Sequence, residues 1–151
     1  MKIYIIKALP LIILAFSFFT NAGAQTQTSL EKVKSELEEV SAKEINAFKT
    51  GDCDALDSFI DDKATLYMNG RKVPGKKMLI SFCERIPRPF EKPSLIKMEY
   101  LPLSTHSGYV IRTMEFSKDE QVYKKEIVTK IWLKGNSGWK IVHLHSTIKE
   151  E

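Results

Sequence analysis

The stretch that decides the fold is EIVTKIWL at residues 126–133, followed by the turn GNSG at 135–138 and by WKIVHLHST at 139–147. Both arms alternate at a period of two and are rich in β-branched and aromatic residues, which is typical of β-strands. The short loop between them is bounded by glycines. The stretch therefore predicts an antiparallel hairpin in which Gly135 lies opposite Gly138.

This register assigns each side chain of the hairpin to one of two sheet faces. The predicted cross-strand pairs are Trp132 with Ile141, Lys130 with His143, and Val128 with His145. One face would carry Lys130, Trp132, Trp139, Ile141, His143 and His145, and the other Ile127, Thr129, Ile131, Leu133, Val142 and Leu144. A solvated sheet face is normally polar, and neither set is. We therefore expect one face to belong to the core and the other to form a pocket wall or a subunit contact.

The N-terminal segment has the pattern of a secretory signal peptide. Lys2 and Lys7 precede an apolar run at residues 8–19, and Ala22-Gly23-Ala24 supplies a small-residue cleavage site. A transmembrane anchor is the alternative, but a span needs about 20 apolar residues and this run is shorter. We expect residues 1–24 to be removed before Gln25. This leaves one domain at residues 25–151, periplasmic or secreted, with no membrane segment after cleavage.

Charge and cysteine content narrow the range of functions. The chain has a formal net charge of +4, which falls to +2 without the two lysines of the signal. So small a surplus, with no basic run interleaved with aromatic residues, argues against nucleic-acid binding. In an oxidising compartment, Cys53 and Cys83 either form a disulfide or serve as small buried apolar residues.

The sequence predicts three helices ahead of the main strands. The first begins at Thr28, whose spacing from Glu31 matches a capping box, and ends before Gly51. The second is short and is capped by Asp52 or Asp54. The third covers residues 76–85, and the prolines that follow prevent its continuation. Its predicted buried residues are Met78, Leu79 and Phe82.

The other segments alternate as strands do. Asn69-Gly70 is the strongest hairpin signal in the chain, because primed turns need residues that tolerate positive φ. Further strands are expected at about 94–103 and about 107–117, ahead of the C-terminal hairpin. Helices and strands are thus segregated, and the last four strands form one long antiparallel meander, which is the α+β arrangement.

Several motifs resemble one known superfamily. They are AFKTGDCDAL at 47–56, VPG at 73–75, VIR at 110–112, TKIW at 129–132 and GWKIVHLHS at 138–146. Together they are similar to the nuclear transport factor 2-like superfamily, above all to SnoaL-like domains and to the association domain of calcium/calmodulin-dependent protein kinase II. The resemblance implies a cone-shaped, curved antiparallel sheet wrapped around a long N-terminal helix, a fold of the cystatin-like type.

The resemblance also implies a use for the mouth of the cone. Association domains line it with arginines, of which Arg112 matches one, and Lys130 stands at the place of another. Leu79 replaces a pocket histidine of the family, and Ser146 replaces a further arginine. The superfamily includes isomerases, cyclases, dehydratases and epoxide hydrolases, but also domains that only bind or assemble. The fold therefore does not decide the function.

The direction in which Arg112 points depends on the loop after its strand. A strict two-residue turn at Asp119-Glu120 would turn Arg112 away from Lys130. Asp-Glu is a poor pair for such a turn, which needs positive φ, so we expect a longer loop that turns Arg112 toward the pocket. The alternative is a structural ion pair with Glu115 or Glu126.

The two C-terminal histidines are candidates for a cavity lining. His143 and His145 are two residues apart on one strand, so both side chains leave by the same face. A metal needs three or four ligands, and no third histidine or cysteine is placed to help, since His106 falls in a loop. We therefore expect a polar cavity and no metal site. The remaining candidates for its lining are Tyr67, Asn69, Glu126 and Trp132.

The sequence favours binding over catalysis. No catalytic residue can be named, because no strand interior offers an aspartate and no nucleophile motif, phosphate loop or dinucleotide fingerprint occurs. We expect an exported domain that binds a small polar or anionic molecule without a cofactor and forms a homodimer or a higher homo-oligomer. The alternative is an isomerase, lyase or hydrolase for a small hydrophobic substrate. That activity would need a buried carboxylate within reach of His143, His145 or Tyr67.

Overall fold

The computed structural model describes the backbone of residues 13–150 and the side chains of residues 27–150. In chain order the elements are α1 (Ile13–Thr50), α2 (Cys53–Phe59), β1 (Ile60–Met68), β2 (Arg71–Val73), α3 (Lys76–Arg85), β3 (Leu95–Ser104), β4 (Ser107–Lys118), β5 (Gln121–Gly135) and β6 (Gly138–Glu150). Residues 1–12 of the expected signal peptide lie outside the described part, so its removal stays a prediction. No described helix is both long and apolar enough to cross a membrane.

The six strands form one curved, unclosed sheet in the order β2-β1-β6-β5-β4-β3. The predicted antiparallel meander of β3 to β6 is confirmed, and β1 joins β6 in parallel. The hairpin between β1 and β2 is confirmed as well, with Asn69 at φ 49° and Gly70 at φ 74°. The α+β fold class is therefore the one expected from the sequence.

The ends of the first two helices test the predicted caps. Thr28 does not begin a helix, because α1 already runs through it from Ile13; alanine and glutamine, both good helix formers, continue the helix upstream. The predicted end is confirmed, since α1 stops at Thr50 and Gly51 follows at φ 80°. Asp52 caps α2 by accepting a hydrogen bond from the backbone N–H of Ala55 at 3.0 Å.

The core lies between the helices and one face of the sheet, here called the inner face. Leu37 of α1 packs so closely on Gly108 of β4 that a Cβ added there would lie 2.5 Å from a Leu37 methyl carbon. In α3 the buried residues are Leu79 and Cys83, whereas Met78 and Phe82 are exposed. The predicted burial of Met78 and Phe82 is wrong because Cys83 bonds to the neighbouring helix and so fixes the rotation of α3.

One end of the helical layer is held by covalent and charged contacts. A disulfide joins Cys53 of α2 to Cys83 of α3. The guanidinium of Arg88 donates to the carbonyl oxygens of Phe48, at 3.0 Å, and of Cys83, at 2.9 Å. These carbonyls belong to the last turns of α1 and α3, where a positive charge is favourable. The disulfide and Arg88 together tie the three helices to one another.

A β-bulge in the C-terminal hairpin changes its predicted faces. Gly135 lies opposite Gly138 and Trp132 opposite Ile141, as predicted, but Ile131 lies opposite His143. Val142 is therefore the extra residue of a bulge. Because a shift of one residue moves every following side chain to the other face, the rest of β6 is inverted relative to the prediction.

A second bulge lies between β4 and β5. Asp119 and Glu120 form the two-residue turn that the sequence argued against, with φ values of 52° and 65°. Beyond it Ser117 pairs with Val122 while Phe116 pairs with Lys124, so one residue of β5 is extra. The bulge shifts the register of β4 and β5 by one residue, which is the shift that the expected longer loop would have produced. Arg112 accordingly faces inward, as expected, although for a different reason.

Candidate functional site

Six polar side chains converge on the inner face between α1 and the three central strands. We call them the interior polar cluster: Ser41 and Glu44 of α1, Arg112 of β4, Glu126 and Lys130 of β5, and Ser146 of β6. Inner-face positions are otherwise occupied by residues such as Val110, Val128 and Leu144. Polar groups on an apolar face are costly unless they are paired or meet a ligand or water.

Lys130 and Glu44 form a buried ion pair. Their side chains are only 8% and 6% exposed, and the ammonium donates a short hydrogen bond to the carboxylate. Burial lowers the pKa of Lys130, and the nearby Arg112 guanidinium lowers it further, while the Glu44 carboxylate opposes both effects. The charge of Lys130 is thus balanced within the protein by Glu44.

Arg112, in contrast to Lys130, forms no ion pair within the described part of the protein. It lies opposite Val128, which places it diagonally between Lys130 and Glu126 of the neighbouring strand. Its Nε atom is buried and has no hydrogen-bond partner, and no carboxylate among residues 27–150 forms an ion pair with its guanidinium. A buried donor left unsatisfied costs about 1–3 kcal/mol, more when it is charged. The predicted alternative for Arg112, a structural ion pair with Glu115 or Glu126, is wrong. Glu115 pairs instead with Lys125, at 2.8 Å.

Glu126 is the second charged member of the cluster that forms no ion pair. It accepts a hydrogen bond at 3.2 Å from the hydroxyl of Ser146, which lies opposite Val128 and is therefore a diagonal neighbour on β6. The described residues contain no ion-pair partner for its carboxylate. Ser146 is itself buried, so the hydroxyl orients one carboxylate oxygen and leaves the other available.

Beside the cluster the inner face is apolar. Trp132 is fully buried and meets the ring of Phe59 edge-on at 6.5 Å between centroids. Its indole N–H, like the hydroxyl of the buried Ser41, has no hydrogen-bond partner in the described part of the chain. At the other end, inward-facing aliphatic side chains reach solvent, which we call the apolar rim: Ile96, Met98, Met114 and Ile148. The rim adjoins the polar cluster, because Met98 lies opposite Arg112 and Met114 opposite Glu126.

His143 and His145 do not join the cluster. The bulge at Val142 puts both on the outer face, opposite Ile131 and Thr129, so the prediction that they share a face with Lys130 is wrong. His143 Nδ1 lies 2.8 Å from the hydroxyl of Thr65. Tyr67 pairs with His145 and therefore also lies on the outer face. The centroid of its ring is 6.0 Å from that of the His143 ring.

Asn69 has a structural contact rather than a place in the cluster. It is exposed at the tip of the β1–β2 hairpin, and its side-chain oxygen accepts a hydrogen bond at 2.8 Å from the backbone N–H of Ile148. Its own backbone N–H donates to the carbonyl of Ser146, also at 2.8 Å. These bonds extend the pairing of β1 and β6 to the end of the sheet.

Sequence reasoning missed two members of the cluster, Ser41 and Glu44, and named a third, Ser146, only through the resemblance. Ser41 and Glu44 continue the buried stripe of α1 that Val33 and Leu37 begin, at spacings of four and three residues. Two polar residues within an apolar helical stripe are a usable signal of a buried polar site. Ser146 was hidden by the bulge, since the predicted register placed it on the outer face.

A hollow of about 410 Å³ lies on the surface between α1 and the turn of the β5–β6 hairpin. Its charged groups already have partners: Glu36 accepts from Lys134, at 2.6 Å, and from the indole of Trp139, at 3.0 Å. These two hydrogen bonds lower the pKa of Glu36. No described residues form a group that could hold a metal ion. The interior polar cluster is therefore the candidate site.

Solved structures with the same architecture are known. The chain is similar to a cystatin-like fold protein from Burkholderia xenovorans, with a TM-score of 0.62 and 16% identity over 80% of this chain and 94% of that one. It is also similar to an NTF-2-like protein of unknown function from Silicibacter pomeroyi, with a TM-score of 0.62 and 15% identity over 79% and 98% of the two chains. A ketosteroid isomerase-like protein from Erwinia carotovora atroseptica gives a TM-score of 0.59 and 18% identity over 78% and 97%.

These similarities confirm the nuclear transport factor 2-like fold that the sequence motifs imply. No protein-family model matches the sequence, and neither does any curated protein. At such low identities the structural likeness establishes the fold alone. What the inside of the cone does must therefore be argued from the residues of this chain.

Proposed function

We propose that this protein binds a small carboxylate-bearing molecule inside its cone, and that Arg112 is the residue that holds the carboxylate. The observation that carries the proposal is the buried, unpartnered Nε of Arg112. A guanidinium offers parallel N–H donors that match a carboxylate in a bidentate arrangement. A carboxylate ligand would satisfy the donor that the protein leaves without a partner.

Lys130 has a supporting role in this proposal. Its ammonium is already engaged by Glu44, so it is a poorer primary contact than Arg112. Because Glu44 neutralises Lys130, the ammonium does not compete with Arg112 for the anion. The apolar rim suits the hydrocarbon part of the ligand, because small-molecule sites combine apolar walls with a few placed polar groups.

The enzymatic alternative lacks the arrangement that would favour it. An enzyme would need a general acid or base, in the form of a buried carboxylate close to His143, His145 or Tyr67. Within residues 27–150, His143 instead contacts the Thr65 hydroxyl, and the nearest side-chain partner of His145 is the hydroxyl of Thr147, at 3.4 Å. Binding is therefore the function that we propose.

We expect Arg112→Gln to weaken the binding of a carboxylate at least about tenfold, since a hydrogen bond to a charged group contributes about 1.5–3 kcal/mol. Isothermal titration calorimetry with a panel of aliphatic and aromatic carboxylates measures the affinity. The melting temperature should change little, because the guanidinium forms no ion pair in the described structure.

The matched control is Arg71→Gln, which removes an exposed arginine of β2 and should leave the affinity unchanged. Equal affinities of the wild type and the Arg112→Gln variant would refute the proposal. A large loss of stability in that variant would instead make Arg112 a structural residue.

We also propose that the protein self-associates through the outer face of its sheet. The helices cover only the inner face, so outer side chains such as Ile127 and Leu133 remain 40% and 45% exposed. The outer apolar face comprises Tyr109, Ile111, Ile127, Ile131 and Leu133, which are neighbours across β4 and β5. Leu144, expected on this face, points inward and is buried.

A second copy of the same chain is the occupant that this face suits. Between Tyr109 and Thr113 on β4, and between Ile127 and Leu133 on β5, every outward-facing residue is uncharged. Two such faces can therefore meet about a two-fold axis without opposing like charges. Exposed apolar patches of this kind commonly mark interfaces, and the two-fold dimer is the commonest closed assembly.

We expect Ile127→Lys to convert a dimer into a monomer, because it would bury a lysine within the apolar contact. Light scattering of the protein at high micromolar concentration measures the mass. Met78→Lys, at an exposed position on α3, is the matched control and should leave the mass unchanged. A wild-type protein that is already monomeric at that concentration would exclude this part of the proposal.

Export to the periplasm or the medium completes the proposal. The signal-like N-terminus motivates it, and the Cys53–Cys83 disulfide supports it, because structural disulfides persist in oxidising compartments and are rare in the cytosol.

A further inference from the structure

Two groups of opposite charge remain in the interior polar cluster once the buried ion pair is set aside. Lys130 and Glu44 neutralise one another. Arg112, which is positive, and Glu126, which is negative, are then the charged members that have no ion-pair partner among residues 27–150. A ligand with a carboxylate alone would satisfy only the first of them.

The sheet register places these two groups side by side. Arg112 lies opposite Val128, and Glu126 lies opposite Met114, so the two residues are diagonal neighbours on adjacent strands. Backbones at such positions are about 7–8 Å apart, well within reach of two long side chains. The guanidinium and the carboxylate nevertheless do not form an ion pair. The two charged groups thus stay separate on the inner face, where Met98 lies opposite Arg112 and Met114 opposite Glu126.

Ser146 adds a reason to regard Glu126 as part of the binding site. Its buried hydroxyl donates to one oxygen of the Glu126 carboxylate at 3.2 Å. This contact fixes the carboxylate on the inner face and leaves the second oxygen free to accept. A carboxylate held in this way is suited to an ammonium donor, since charge-assisted hydrogen bonds are the strong ones.

We propose that the ligand is a small zwitterion, whose carboxylate binds Arg112 and whose ammonium group binds Glu126. This inference rests on the proposed function and narrows it, because it adds a second recognised group and a required separation between the two. Within this scheme Arg112 provides affinity for any carboxylate. Glu126 provides the preference for ligands that also carry an amino group.

Two series of probes test the inference: ω-amino acids from glycine to 5-aminopentanoate, and unsubstituted carboxylates of the same chain lengths. Calorimetric titration of the full mature protein should show, for at least one chain length, about tenfold or greater preference for the amino acid. The Glu126→Gln variant should lose that preference while keeping its affinity for the plain carboxylate. Arg112→Gln should weaken both series.

Glu115→Gln is the matched control, because Glu115 lies on the outer face and pairs with Lys125. It should leave the preference intact. Equal affinity for the two series, still dependent on Arg112, would overturn the zwitterion and leave carboxylate binding standing. Titrations in which Arg112→Gln changes nothing in either series would overturn both. Thermal melts of the variants establish that each is folded when titrated.

Discussion

The Lys130→Met variant should lose about 3–5 kcal/mol of its free energy of unfolding, the usual cost of breaking a buried ion pair from one side. The ammonium of Lys130 and the carboxylate of Glu44 meet where both side chains are almost fully buried. Methionine retains the apolar bulk of the lysine but removes the charge. The variant therefore leaves Glu44 as an uncompensated buried carboxylate. Denaturant unfolding of the wild type and the variant at neutral pH measures the difference.

The same substitution elsewhere on β5 provides the control. Lys134 pairs with Glu36, but these side chains are 36% and 25% exposed, so Lys134→Met should cost no more than about 1 kcal/mol. A double variant, Lys130→Met with Glu44→Leu, should recover most of the loss because it removes both charges. If Lys130→Met costs no more than Lys134→Met, the buried pair does not stabilise the fold.

The expected recovery in the double variant bears on the function of the cone. Apolar residues at positions 44 and 130 would fill the interior at least as well, because desolvation offsets much of the attraction within a buried pair. Stability alone therefore does not explain why this chain places an ion pair there. Within the pair, Glu44 balances the charge of the lysine beside Arg112. It forms no ion pair with Arg112 itself, so the guanidinium stays available. That arrangement is useful to a protein that binds an anion.

The order of helices and strands and the pairing of the last hairpin could be predicted because their signals are local. Gly135 and Gly138 bound the turn, and the period of two in both arms predicts the strands. The faces could not be predicted in full. The bulge at Val142 has no mark in the sequence, since valine fits a regular strand equally well, and one extra residue was enough to invert His143 and His145.

Within the interior polar cluster, the inward direction of Arg112 was predicted correctly but for the wrong reason. Arg112 was expected to face inward through a longer loop, yet the Asp119-Glu120 turn is tight and a bulge in β5 supplies the shift. Two deviations from simple turn and register rules compensate one another there. Glu44, by contrast, could have been found from the sequence, because it interrupts the apolar stripe of α1. Helical periodicity survives over long distances, whereas strand parity is lost at each bulge.

Removing the disulfide should have an effect nearly as large as breaking the ion pair. Cys53 and Cys83 are separated by 30 residues, and closing a loop of that length restricts the unfolded chain enough to stabilise the fold by about 3–4 kcal/mol. The Cys53→Ala/Cys83→Ala variant should lose that amount of unfolding free energy. Denaturant unfolding under non-reducing conditions measures it.

Reductant provides the internal control for this loss. Dithiothreitol should lower the denaturation midpoint of the wild type toward that of the double-alanine variant and leave the variant unchanged. A wild-type midpoint that does not move after complete reduction, verified by thiol titration, would contradict the prediction. In that event the contacts of Arg88 with Phe48 and Cys83 would be sufficient to hold α1 and α3 together without the disulfide. The predicted shift instead means that full stability depends on oxidation, which would support the proposed export.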